Sequence, residues 1–486
     1  MLLLTCTAVT FLYSMTVTIA NVSLPQMQGA LSATQDQIAW VVTGNIVATA
    51  VATPLSGWLV SRFGARTLCL GCVAAFAAAS LGCGLADSLE VLVFYRVLQG
   101  AFGAPLVPVS QALLLDAYPR ERHGAVISIF GVGSVLGPIV GPVLGGYLSE
   151  AYSWRWVFYM IVPFALFALA GTWLYIHDRK DRRPIALDWT GFLLLALALA
   201  SLQLMLDRGE RADWFDSAEI VAYAIAAGLG LYLFLAHTFT RERPFLEPAL
   251  FRDRNFAVGI VLVFVFGMLN FTPMTLLPPL LQGVSGYPDS VIGFVLGARG
   301  TGTLVAFALM IVASRFDPRW AITLGFVLQA VAGWQLARLD PNMGTADVFW
   351  PMALQGFGVG ILWVPITQVT FSTLRGEHIA EGTAIFHMLR NIGSSIHISL
   401  SITLVVRMTQ AHRAEISPAV TPFNEALSLP SVTGAWNLDD PRSLASLSAE
   451  VNRQAAMLGY IDAFWAFAAA AVVVLPLIAL VRWRRN

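Results

Sequence analysis

Charge is what this chain has least of: 12% of its 486 residues are Asp, Glu, Lys or Arg, against roughly a quarter in an ordinary soluble domain. A soluble globule is excluded. The few charges cancel, 29 basic against 29 acidic, so no basic surface exists to displace the counterions of phosphate, and nucleic acid is excluded as a partner. Cysteine is equally sparse. Cys6, Cys69, Cys72 and Cys83 all fall in apolar segments, where a disulfide framework has no loops to staple, and Cys69-x-x-Cys72 has no second pair or neighbouring histidine to complete a metal site. A cleavable leader is missing too. Met1 to Pro25 has no charged start and no small-residue cleavage site, so the first helix is expected to stay as an anchor. No nucleophile, base and oxyanion donors assemble from the pattern, and no metal or nucleotide motif is found, which leaves an enzyme the least expected class.

What is present is hydrophobic: 57% of the residues, in fourteen runs of about twenty, each long enough to cross a hydrocarbon core of roughly 30 Å. Six lie near 3–25, 38–60, 67–86, 90–115, 125–148 and 155–176; two follow near 188–206 and 218–237; six more lie near 257–282, 289–312, 320–338, 348–372, 380–407 and 457–481. The expected fold is an all-α integral membrane protein of six, two and six helices. Its parts are a first six-helix bundle over 1–178, an inserted pair over 187–238 and a second six-helix bundle over 250–484.

The two sixes are related. Leu98-Gln99-Gly100 followed by Gly103 to Gln111 returns as Leu354-Gln355-Gly356 followed by Gly360 to Gln368, and SRFGARTL from Ser61 returns as SRFDPRWA from Ser314. Both echoes have nearly the same offset. Halves of a lipid-embedded chain that repeat in parallel order point to a solute carrier with its substrate between them. The middle pair is then an insertion.

Positive flanks stay in the cytoplasm. With both termini inside, the inner segments hold eighteen of the 29 basic residues, among them Arg62, Arg66, Arg120, Arg122, Arg241, Arg243, Arg252, Arg254 and Arg319. The one long segment outside the membrane, about 411–456, is then periplasmic, with a helical stretch expected at Leu444 to Leu458. It reads either as a docking surface or as a spacer.

Ionisable groups kept within apolar runs are expensive and mark candidate sites. Arg96 sits in the fourth helix with Gln99, Gly100 and Gly103 on its face, a polar stripe expected to reach the substrate cavity; the plain alternative is an arginine snorkelling to the interface. In the thirteenth helix His387, Arg390 and His397 share a face, and Arg299 lies in the tenth. Each histidine is either a carrier of a coupling proton or a packing residue whose hydrogen bonds are satisfied. Gln355 repeats Gln99. Asp462 is the one carboxylate in the last run and is expected to open that helix, as a coupling acid or as a residue favoured by the helix dipole. The fifth helix concentrates Gly137, Pro138, Gly141, Pro142, Gly145 and Gly146; glycines at four-residue spacing make a smooth groove for a neighbour, and prolines bend the helix. No Gly-Lys-Ser/Thr follows, so a phosphate loop is excluded.

These residues together resemble the major facilitator superfamily, specifically the fourteen-helix drug:proton antiporters of the EmrB/QacA type. The resemblance covers the whole chain. GPIVGPVLGG from Gly137 is similar to the antiporter motif of the fifth helix, and RVLQGAFGAPLVP from Arg96 to that of the fourth; TIANVSLP from Thr18, which contains Asn21, SWRWVFYMIVP from Ser153 and DAFW from Asp462 add to it. It implies multidrug efflux at the bacterial inner membrane, by alternating access around a midplane cavity. The energy source would be the proton gradient with no cofactor, and a periplasmic adaptor of the EmrA kind and an outer-membrane channel would be partners. It also implies a gating loop at Gly57, Arg62, Gly64 and Arg66.

Two positions depart from the pattern: Thr16 stands where such pumps place an aspartate in the first helix, and Ser61 where the wider superfamily places one in the loop after the second. If protons drive the protein, Asp462 balanced by Arg96, or His387 or His397, must take the role. A dedicated exporter of one metabolite or lipid, an uncoupled facilitator, and a sensor or assembly factor on a carrier fold are the other readings.

Overall fold

The computed structural model describes residues 1–486 except 177–185, 315, 422, 430–435, 437–439 and 483–486, and leaves undescribed the side chains of residues 21, 22, 35, 289, 290, 426 and 428. Among the described residues there is no strand. The first bundle comprises α1 (Leu2–Val22), α2 (Asp36–Phe63), α3 (Ala65–Leu85), α4 (Leu89–Ala117), α5 (His123–Ala151) and α6 (Trp156–Tyr175). The inserted pair is α7 (Trp189–Arg208) and α8 (Ala218–Thr240). The second bundle comprises α9 (Arg254–Gly283), α10 (Asp289–Ala313), α11 (Pro318–Leu336), α12 (Thr345–Phe371), α13 (Ile379–Ile416) and α14 (Pro441–Val473).

Thirteen of these helices are long and apolar enough to span a membrane. The fourteenth, α11, forms a 19-residue helix at the expected place but carries Arg319, Gln329 and Gln335. It is packed between α12 and α14, so protein rather than lipid covers much of it.

The halves repeat their packing. In the first, α1 lies on α5, α2 on α4, and α3 on both α4 and α6; in the second, α9 lies on α13, α10 on α12, and α11 on both α12 and α14. The α1–α5 contact shows what the glycines do. A Cβ at Gly133 would meet Thr7 O at 2.4 Å, one at Gly137 Met15 N at 2.6 Å, one at Gly141 Met15 O at 2.9 Å, and one at Gly145 Ile19 Cγ1 at 2.7 Å. The stripe is the seat of α1, and bare backbone is required for the helices to come this close. Pro138 and Pro142 sit inside α5, which stays one helix of 29 residues; Pro142 and Gly146 are half-buried.

Two expectations about the last helices need correction. The 411–456 segment is not a loop throughout, because α13 continues to Ile416 and α14 starts at Pro441. Asp440 caps α14, its carboxylate accepting from the Arg442 and Ser443 N–H groups, and Pro441 takes the first turn. No helix breaker intervenes before Gly459, so the helix runs on through polar sequence. Asp462 accordingly lies in the interior of α14 rather than at its start. At 1.5 Å per residue, α13 is about 57 Å long, well beyond a hydrocarbon core of about 30 Å.

Candidate substrate cavity

The start of α1 and the stretch that follows α14 as far as Arg482 belong to one face of the bundle. Near Met1, Thr5 Oγ1 lies 2.9 Å from where a Cβ of Gly171 would stand, late in α6, and Arg66 at the start of α3 donates to Trp173 O at 2.8 Å. At the other end, Asn255 Nδ2 donates to Arg482 O at 2.8 Å and Arg254 Nε to Leu480 O at 2.7 Å. This face holds the contacts that close one half on the other. A Cβ at Gly57 in α2 would stand 2.8 Å from Glu381 Cα in α13, and one at Gly124 in α5 2.2 Å from Ser314 Oγ after α10. Arg120 Nη2 donates to Leu374 O at 3.2 Å, and His387 Nε2 lies 2.6 Å from Gln111 Oε1.

The expected gating segment is therefore a tight corner. Gly64, the cap between α2 and α3, has φ +83°, a positive value suited to glycine. Arg62 is exposed beside it, and the Arg66 guanidinium lies 5.0 Å from the Trp173 ring.

Above these contacts both halves wall a cavity of about 440 Å³. The first half supplies Tyr13, Ser14, Thr18, Asn45, Thr49 and Ser134; the second supplies Asn270, Arg299, Arg390, Asn391 and Ser394, together with an aromatic wall of Phe266, Phe271, Phe307 and Trp363. Gln203 of the inserted α7 joins them. Among the described lining residues there is neither aspartate nor glutamate.

The arginines divide between structure and cavity. Arg96 is buried in the first bundle, its Nε donating to Val41 O at 3.0 Å and its Nη1 to Gln99 Oε1 at 2.6 Å, while Gln99 Nε2 donates to Ser80 Oγ at 2.6 Å. The stripe expected to reach the substrate faces the bundle interior instead: Arg96 and Gln99 do not line the cavity. Gly100 and Gly103 admit Asn45 O and the Tyr13 ring. Sequence spacing defines a shared face of α4 but not which neighbour that face meets.

Arg299 does line the cavity. Its Nε donates to Gln355 Oε1 at 2.9 Å, its Nη2 to Asn270 O at 2.8 Å and Oδ1 at 2.6 Å, and its guanidinium lies 5.9 Å from the Phe271 ring. Gln355 is fully buried behind it and is likewise not a lining residue. Arg390 lines the cavity as well, with Asn391 Oδ1 at 3.0 Å from Nη2 and the Trp363 ring centre 5.6 Å away.

His397 is inside the second bundle, with Nδ1 2.7 Å from Thr272 Oγ1 and 3.3 Å from Ser401 Oγ. Asp462 and Arg96 are not brought together. Asp462 Oδ2 lies 2.8 Å from His412 Nε2 on α13, and Glu415 lies 3.7 Å from the other nitrogen of that ring. The Asn21 side chain lies outside the described residues.

Several cavity residues, among them Tyr13, Asn45, Asn270, Asn391 and Gln203, are neutral and escape a search for charge in apolar runs. A signal for one of them was available. Gly100 rests on Asn45 O as Gly356 rests on Arg299 O, and Thr49 and Thr303 donate to those glycines' carbonyls at 3.3 and 2.8 Å, so aligning the repeats through their second helices pairs Asn45 with Arg299.

The match to known proteins agrees with this geometry. The family model described as Major Facilitator Superfamily matches residues 6–397. The chain is 32% identical over 477 residues to the multidrug export protein EmrB of Escherichia coli strain K12, covering 96% of this chain and 92% of that one. It is 31% identical over 479 residues to the fatty acid resistance protein FarB of Neisseria gonorrhoeae, covering 97% and 94%. Among solved structures, the human organic anion transporter MFSD10 superposes with a TM-score of 0.63 at 13% identity over 98% of this chain and 99% of that one. The proton:xylose symporter XylE superposes with a TM-score of 0.64 at 12% identity over 98% and 94%. With two repeated six-helix halves, an inserted pair and full-length similarity to the export proteins, the chain belongs to the Major Facilitator Superfamily, in its fourteen-helix EmrB/QacA type.

Proposed function

We propose that the protein is a secondary multidrug exporter of the inner membrane that moves amphipathic compounds outward by alternating access, driven by the proton gradient and needing no cofactor. The observation that carries this reading is a cavity walled by both halves and shut at one face by contacts between them. Closely packed interfaces exchange between discrete arrangements rather than deform continuously, so export follows from breaking the contacts at Gly57 and Gly124 and remaking others at the far side. The positive flanks set the terminal face in the cytoplasm. The arrangement described is then the one closed toward the cytoplasm.

The mostly apolar walls suit cargo of varied shape, which the polar groups orient. For the proton, two ionisable sites fit. His387 bridges the halves to Gln111, where a change of charge would bear on closure. Asp462 with His412 ties α13 to α14 near the periplasmic side. The parts of α13 and α14 that run past the hydrocarbon would meet a periplasmic adaptor of the EmrA kind, with an outer-membrane channel beyond.

The test is transport by purified protein in liposomes under an imposed pH gradient, with Asp462→Asn alongside. Flux that rises with the gradient and falls several-fold in the variant is expected. Equal flux with and without the gradient ends the antiport reading, and no flux of any lipophilic dye ends the exporter reading.

A further inference from the structure

We infer that the cavity is built to take an amphipathic organic anion, with Arg299 and Arg390 receiving its charged head and the aromatic wall its apolar body. This rests on the exporter reading and names the chemical class of its cargo.

Both guanidinium groups face the cavity, and neither has an ion-pair partner among the described residues. Their partners are neutral: Gln355 and Asn270 for Arg299, Asn391 for Arg390. Amide oxygens satisfy N–H groups but leave the net charge uncompensated, and a cation kept within a membrane protein calls for an anion or for water. The carboxylates that could serve are engaged elsewhere, Asp207 by Thr43 and Asp462 by His412.

Arg390 holds the more open donors. Its Nε and Nη2 both point to the one oxygen of Asn391, which leaves the outer part of the guanidinium free for a carboxylate or sulfonate in a fork geometry. Arg299 is held rigid by Asn270 and Gln355, so it offers a fixed charge rather than a mobile one. Beside them Phe271 and Trp363 stack near the cations and continue into apolar wall. A head of negative charge on a hydrocarbon or aromatic body fits this pairing. A lipophilic cation meets two like charges and no carboxylate.

The test uses three probes of equal chain length, decanesulfonate, decanol and decyltrimethylammonium, titrated calorimetrically into the full-length protein in nanodiscs of zwitterionic lipid. Wild type is expected to prefer the sulfonate over decanol by about tenfold, the scale of one hydrogen bond to a charged group. Arg390→Gln is expected to collapse that ratio, and Arg390→Lys to keep part of it. Equal or tighter binding of the quaternary amine by the wild type, or an unchanged ratio in a folded Arg390→Gln protein, overturns the inference. Efflux of a neutral dye from the same preparation in liposomes separates the two readings. If the dye is pumped but the sulfonate is not preferred, the anion assignment fails and the exporter stands; if nothing is pumped, the exporter reading fails first.

Discussion

The two halves keep the same backbone contacts and place their positive charge differently. In each, a glycine after a buried glutamine lets the facing helix approach: Gly100 against Asn45 O, Gly356 against Arg299 O. In each, a threonine of that facing helix donates to the glycine carbonyl, and an arginine grips the glutamine oxygen. The arginine arrives from opposite helices. Arg96 comes from the glutamine's own helix and turns into the bundle, whereas Arg299 comes across from α10 and keeps one side on the cavity. At the position matching Arg96 the second half has Met352, fully buried. Duplication has thus preserved the part that requires close packing and released the part that only requires a donor. Both cavity cations, Arg299 and Arg390, belong to the second half, and the first supplies hydroxyls and an amide.

The largest effect is expected where the halves agree. Gly356→Ala would place a Cβ 1.9 Å from Arg299 O, and Gly100→Ala one 2.3 Å from Asn45 O. Backbone cannot yield as a side chain does, so each variant should lose about 3 kcal/mol or be unrecoverable as folded protein. Gly71→Ala, with nothing within 4 Å of its Cβ, should be neutral or gain up to about 1 kcal/mol. Melting of detergent-solubilised protein checks all three. A Gly356→Ala protein as stable as Gly71→Ala would show that the repeated motif is not a packing device.

A smaller effect is expected where the halves differ, and it sharpens the comparison. Arg96→Met strips the donor from Val41 O and Gln99 Oε1, both buried, and should cost about 2 to 3 kcal/mol. Adding Asn45→Arg copies the second half's solution into the first, since an arginine there is placed to reach Gln99 as Arg299 reaches Gln355. The double variant should melt above Arg96→Met alone and bind decanesulfonate more tightly than wild type. Equal melting of single and double variants would mean that the correspondence of Asn45 with Arg299 ends at the backbone.

Much of this was legible in the sequence, and the reasons for success and failure are physical. Helix positions follow from apolar length, and the repeated Gln-Gly motif and the glycine stripe of α5 announce close packing by chemistry that has few other uses. Direction across a helix is harder to read. Arg96 and Arg299 satisfy the same criterion, a cation in an apolar run, yet one faces the bundle interior and the other the cavity. Which it is depends on the helix opposite. Apolar length places Asp462 at a helix start because it marks the membrane boundary and not the helix boundary; a helix ends where capping or a breaker ends it, and this one starts at Pro441, 21 residues before Asp462, with Asp440 as its cap.

The inserted pair offers the smallest test, since it has no counterpart in either half and is tied down at one end by a single carboxylate. Asp188 precedes α7, accepts from the Gly191 N–H at 3.1 Å and the Phe245 N–H at 3.1 Å, and pairs with His237 of α8 at 3.0 Å. Burial pushes its pKa up, but those two N–H groups and His237 outweigh burial and hold it below the usual carboxylate range. A carboxylate whose folded pKa is depressed contributes stability that is present above its unfolded value and lost as pH falls through the folded one. Asp188→Asn keeps a capping oxygen but not the charge, so it should cost about 1 kcal/mol at neutral pH. That gap should begin to narrow as the pH falls below the ordinary aspartate value of about 3.9 and close only below the lower folded value, where the wild-type carboxyl takes up its proton. Melting curves of both proteins across that range decide it: a gap that persists in acid would assign the loss to capping geometry, and the charge of Asp188 would then contribute nothing to holding α7 against α8.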